Sequence, residues 1–124
     1  MLIAEDNPIN QKVALRLVER LGFTADVVTN GLEALEAMRS QSYSLVLMDW
    51  HMPEMDGAEA TRQIRREETG QARTPVIALT AASGAGDLRK LELAGVDDVV
   101  VKPVGLTDME KMLRKWLPET FAGE

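Results

Sequence analysis

Four apolar runs in this sequence each stop on a side chain that can do polar chemistry. "LVLM" runs into Asp49, "MLIA" into Glu5 and Asp6, "VIAL" into Thr80, and "VVV" into Lys102. Trp50 and the only histidine, His51, stand directly behind Asp49. Carboxylates at Glu5, Asp6 and Asp49, if gathered at one place, repel one another unless a cation sits among them. The donors are all oxygens, too few for a calcium cage, with no thiol or histidine cluster. They therefore favour a hard divalent ion that keeps several waters, Mg²⁺ first and Mn²⁺ as the alternative. A phosphoryl group suits such a place: cation and Lys102 neutralise its oxygens, Thr80 donates a hydrogen bond, and Asp49 is the nucleophile.

The elements between these residues decide whether they can meet. "MLIA" is followed by Asn7-Pro8, an N-cap and first-turn pair, and then a helix with the stripe Ile9, Val13, Ala14, Leu17, Val18 and Leu21, closed by Gly22. "ADVVT" reads as a second strand, Asn30-Gly31 as a turn, and the following stretch to about Ser40 as a helix burying Leu32, Leu35 and Met38. "LVLM" is the third strand, turning at Pro53 and Gly57 into a helix over "DGAEATRQIRREE" that buries Ala60 and Ile64. "PVIALT", a helix over "GDLRKLELAG", "DDVVV" and a helix over "LTDMEKMLRKWL" complete the alternation, the last burying Leu106, Met109, Leu113 and Trp116 or Leu117. Strands that are apolar throughout, each followed by a helix, predict a doubly wound α/β domain. Its parallel sheet is covered on both faces, and ligands lie beyond the C-terminal strand ends.

Composition agrees with one soluble domain over 1–124. The 124 residues are 45% hydrophobic and 27% charged, with net charge −6 and no cysteine. The acidic balance argues against nucleic-acid binding by this domain, and the lack of cysteine excludes thiol chemistry and disulfides. No run approaches a membrane span and "MLIAED" is no signal peptide, so no membrane contact by this domain and a cytoplasmic location are expected, whether or not the parent protein is membrane-anchored. "SGAGD" lacks both a dinucleotide fingerprint and a P-loop lysine, and the methionines read as gap-filling core residues.

The motifs "MLIAEDNPIN", "LVLMDWHMPEMDG", "VIALTA" and "VVVKPV" closely resemble, in order and across almost the whole chain, the receiver domains of two-component response regulators. That resemblance implies a flavodoxin-like fold with strand order 2-1-3-4-5 and five helices. It also implies that Asp49 accepts a phosphoryl group from a kinase phosphohistidine. Asp6, Asp49 and the backbone carbonyl of His51 would bind Mg²⁺, Glu5 would act through metal-bound water, and Thr80 and Lys102 would contact the phosphoryl group. Lys102-Pro103 would be a cis peptide. "EDNPIN" and "MPEMDG" look most like receivers of hybrid histidine kinases, whose partner is a histidine phosphotransfer domain. Lys12, Arg16 and Arg20 recur every fourth residue, usually just a solvated face. In the family this helix also docks the kinase or phosphotransfer partner.

Two positions depart from the family. Val99 stands where an aromatic switch residue is common, and Ala82 replaces the polar residue of "TAN" sequences. The imidazole of His51 is expected to border the site and govern water access, and Trp50 to cover the sheet end. A response regulator or a stand-alone receiver is the alternative context to a hybrid kinase, and two other readings compete. An aspartate-nucleophile phosphohydrolase needs a second Asp two residues past the first, where His51 stands; a pseudo-receiver that binds partners without phosphorylation would not need all five polar residues.

Overall fold

In a computed structural model of the chain, residues 1–52, 54–68, 73–81 and 85–121 are described, without the side chains of 85–88, 120 and 121. Pro53, Ala82 and the first two residues of "SGAGD", Ser83 and Gly84, lie outside the described residues. Strands β1 (Leu2–Ala4), β2 (Asp26–Val28), β3 (Val46–Asp49), β4 (Val76–Thr80) and β5 (Asp98–Val101) alternate with helices α1 (Pro8–Arg20), α2 (Gly31–Ser40), α3 (Gly57–Glu67), α4 (Ala85–Ala94) and α5 (Leu106–Trp116), and a short 3₁₀ turn follows at Pro118–Phe121. The sheet is parallel throughout, in the order β2-β1-β3-β4-β5. No helix among the described residues is long and apolar enough to cross a membrane.

Two apolar layers explain why the strands are not amphipathic. Successive strand side chains point to opposite faces. Ile3, Leu45, Leu47, Ile77, Leu79 and Val100 meet Ala14, Val18, Met109, Met112 and Leu113 of α1 and α5 on one face. Leu2, Ala4, Val46, Met48 and Val76 meet Ala34, Leu35, Ala60 and Ile64 of α2 and α3 on the other. With both faces covered, every residue of β1, β3 and β4 is buried.

The helix starts follow the local chemistry. Asn7 accepts from the amides of Ile9 and Asn10 and caps α1, with Pro8 behind it. Asn30 caps α2 by accepting from Glu33 N, and Asp56 caps α3 by accepting from Glu59 N. Asn30-Gly31 is thus the entry to α2 itself rather than a separate turn. Three residues expected in the core are on the surface: Ile9 is 72% exposed, Val13 44% and Leu32 41%. Ala14 and Val18 are the fully buried residues of α1, with Leu15, Leu17 and Leu21 partly buried beside them, and Ala34 takes the place given to Leu32. In α5, Met112 is buried beside Met109 and Leu113, while Leu106, Trp116 and Leu117 are half-buried.

At the end of the sheet opposite the acidic residues, one guanidinium ties three segments together. Arg65 donates to the carbonyls of Gly95 and Thr74, to Glu68, and to Asp97, which also accepts from Arg73 and from Val76 N. The Arg65 and Asp97 side chains are only 13% and 12% exposed. Truncating Arg65 leaves the Asp97 charge, in a poorly hydrated place, with the exposed Arg73 and the Val76 amide as its remaining partners and frees the carbonyls of Gly95 and Thr74 from that guanidinium. Arg65→Ala is therefore expected to cost about 3 kcal/mol in a urea unfolding experiment; a loss under about 1 kcal/mol contradicts the clamp.

Candidate functional site

The strand register brings the polar ends to one level. Ala4 pairs with Met48 and Asp49 with Leu79, so Glu5 and Asp49 end adjacent strands side by side. Thr80 pairs with Val101, which places Lys102 just past it on the edge strand, and the Lys102 amide donates to the Thr80 carbonyl at 2.8 Å. The two-residue period does the rest. Glu5 continues the row of Ile3, Asp49 that of Leu47, and Lys102 that of Val100, all on the α1/α5 face. Thr80 continues the opposite row from Val76.

The consequence is a compact charge cluster. Lys102 Nζ lies 3.0 Å from Asp49 Oδ1 and 3.1 Å from Glu5 Oε2. Glu5, Asp49 and Thr80 are buried, at 1%, 4% and 2% exposure, whereas Asp6 is exposed at the mouth. Carboxylate oxygens of Glu5, Asp6 and Asp49 all lie within 4.8 Å of one another. Burial pushes the Asp49 carboxyl up to about 6; the Glu5 charge adds to the rise and the Lys102 hydrogen bond opposes it. Burial also works against the Lys102 ammonium, but the hydrogen bonds it donates to Asp49 and Glu5 prevail and hold its pKa above the ordinary lysine value.

Around this cluster the backbone is closely held. The Trp50 amide donates to the Leu79 carbonyl, and Gly57 N closes the following loop onto the Trp50 carbonyl. A Cβ at Gly57 would fall 2.7 Å from the Asp49 carbonyl oxygen and 3.0 Å from the Trp50 ring, so only glycine lets α3 start this close to the site. Glu54, with φ 66°, turns the loop. The His51 amide faces Asp49 Oδ1 at 3.4 Å, while its imidazole is exposed at the rim. Trp50 is half-buried, its ring beside Gly57 at the start of α3. The Lys102-Pro103 peptide is cis. A cavity of about 440 Å³ lined by Glu5, Asn10, Val13, Leu79, Lys102 and Pro103 opens beside the cluster toward α1.

The structure thus brings together Glu5, Asp49 and Lys102 by direct contact, with Asp6 and Thr80 alongside. Sequence reasoning missed the shell around Glu5. Glu5 Oε1 accepts from Asn10 Nδ2 at 3.2 Å and from the Asn7 amide at 3.3 Å, and the Glu5 carbonyl accepts from Gln11 Nε2 at 2.6 Å. The signal was available in the Asn7 cap, which fixes α1's first turn against the end of β1.

The donor set fits a hard divalent cation: among the described residues three carboxylates converge with one ammonium, so negative charge is in excess and the ligand atoms they offer are oxygens. Comparison with known proteins agrees with this arrangement. The family model described as the response regulator receiver domain matches residues 1–114. The hybrid signal transduction protein dokA of Dictyostelium discoideum is 45% identical over 94% of this chain, which spans 7% of that protein. A receiver domain of a Pseudomonas aeruginosa sensor histidine kinase, solved with a magnesium ion coordinated in the active-site cleft, is 38% identical with a TM-score of 0.86, over 94% of this chain and 95% of that one. The receiver domain of Saccharomyces cerevisiae Ssk1, solved with the histidine phosphotransfer protein Ypd1, is 32% identical with a TM-score of 0.85, over 93% of this chain and 86% of that one. Family model, relatives and five-stranded architecture coincide: this chain belongs to the response regulator receiver domain family.

Proposed function

We propose that Asp49 is the phosphoacceptor of this receiver, taking a phosphoryl group from a phosphohistidine in a two-component phosphorelay. The observation that carries the reading is the Lys102 ammonium set between Asp49 and Glu5 at the C-terminal end of the sheet. An Asp49 carboxylate oxygen attacks phosphorus as the P–N bond breaks, and the departing imidazole nitrogen keeps the electron pair and takes up a proton. Lys102 neutralises a phosphoryl oxygen and the Thr80 hydroxyl donates to another. Asp6, Asp49 and the His51 carbonyl would hold Mg²⁺ directly, Glu5 through a bound water, and Mn²⁺ would substitute. The ion supplies charge neutralisation for the phosphoryl oxygens.

The relatives favour a hybrid kinase context, with a histidine kinase or a histidine phosphotransfer domain as partner. The chain spans between 4% and 15% of the length of the first curated relatives. In this reading 1–124 is one receiver unit of a cytoplasmic protein. The exposed Ile9 and Val13, flanked by exposed Lys12 and Arg16, form an apolar patch with a basic border on α1 that suits a docked helical partner. Val99 supports a receiver that hands its phosphate on, because a valine on β5 has no ring to swing inward when Thr80 engages a phosphoryl group.

Intact mass after incubation with acetyl phosphate and Mg²⁺ should show one phosphoryl adduct, absent without the metal and absent in Asp49→Asn. An adduct persisting in the Asn variant refutes the assignment. In a Trp116→Phe background, Mg²⁺ should change Trp50 fluorescence, and Asp6→Asn should weaken the apparent affinity at least about tenfold. The Asp49 carboxyl also sets a pH dependence. Its pKa is raised in the folded chain, from 3.8 to about 6, so the folded state binds the extra proton. Stability from that proton is complete below the ordinary carboxylate pKa and lost as pH rises through about 6. In EDTA the melting temperature should fall between about pH 4 and 6 relative to Asp49→Asn, and Mg²⁺ should reverse that fall.

A further inference from the structure

Glu5 is the most constrained carboxylate of the cluster, and its two oxygens have different owners. Oε2 meets Lys102 Nζ at 3.1 Å, whereas Oε1 is turned back to α1, where it accepts from Asn10 Nδ2 and the Asn7 amide. The Asn7 amide belongs to the backbone and Gln11 holds only the Glu5 carbonyl, so Asn10 is the one side chain that fixes the torsion of the Glu5 carboxylate from the α1 side. Asn10 itself sits in the first turn of α1, its own amide tied to the Asn7 cap at 3.1 Å, and it lines the cavity that opens beside Lys102. With Asn10 removed, Oε1 keeps only the 3.3 Å contact from the Asn7 amide, and the charged Lys102 ammonium becomes the stronger of the two donors left to Glu5.

We propose that Asn10 is a positioning residue: its amide holds Glu5 Oε1 so that Oε2 faces the cleft and shares Lys102 with Asp49. Without that anchor the Glu5 carboxylate rotates onto Lys102. The ammonium is drawn off Asp49, and the cleft loses the Glu5 oxygen that would face a bound divalent ion. This inference rests on the phosphoacceptor reading, but it concerns a residue that touches neither metal nor phosphoryl group.

Partners that orient metal-binding carboxylates are worth about 10–100-fold in affinity when lost. Because Asn10 acts at one further remove, Asn10→Ala should weaken Mg²⁺ binding about five- to tenfold, read by Trp50 fluorescence in the Trp116→Phe background. Asn10 is exposed on a helix where alanine is the better helix former, so the variant should fold with a melting temperature within a few degrees of the parent. The deciding measurement is a double-mutant cycle with Glu5→Gln. If Asn10 works through Glu5, the double variant binds Mg²⁺ no more weakly than Glu5→Gln alone; additive losses overturn the proposal, as does an Asn10→Ala affinity within twofold of the parent. A parent chain that gains no Mg²⁺-dependent adduct overturns the phosphoacceptor reading and this inference together. An adduct on the parent with additive losses in the cycle overturns only the role of Asn10.

Discussion

One ammonium among three carboxylates is the constraint on which the rest of this structure depends. Lys102 Nζ touches Glu5 and Asp49 at about the same distance, and Asp6 stands close by without sharing it. Two buried acids held near each other are costly unless charge is supplied from outside water. The fold supplies one positive charge on the edge strand, leaving a deficit that a divalent ion can meet.

Holding those groups together requires rigidity, and the sheet provides it. Glu5, Asp49 and Lys102 extend rows of side chains that are buried between the sheet and α1 and α5. A shift in any strand by one residue would send its polar end to the wrong face. The remote network of Arg65, Glu68, Arg73 and Asp97 fastens the entry to β4 and β5, the two strands that deliver Thr80 and Lys102. Backbone closeness matters as well: Gly57 allows α3 to begin against the Asp49 carbonyl, which locks the loop carrying Trp50 and His51.

The helix next to the cluster serves two ends. Its first turn anchors Glu5 through Asn7 and Asn10, while its outward side shows Ile9 and Val13 to solvent beside Lys12 and Arg16. Exposed β-branched residues on an otherwise basic helix are unfavourable for solubility unless something covers them, and their place next to the cleft suits a partner that must reach Asp49. The sequence pattern alone assigned Ile9 and Val13 to the core, because apolar residues at helical spacing look the same whether a sheet or a partner covers them.

The sequence by itself determined the alternation of elements, the parallel sheet and the identity of the polar strand ends. These are local properties: apolar runs, caps at Asn7 and Asp56, and a charge or hydroxyl where each run stops. It did not determine which face each helix stripe covers, so Leu32 was misplaced and Ala34 and Met112 were overlooked. Nor could it reveal that Asn10 orients Glu5, or that Lys102 divides itself between two acids. The Lys102 contacts join strands from opposite ends of the chain and depend on register and handedness, while the Asn10 contact, close in sequence, depends on how the first turn of α1 packs against the end of β1.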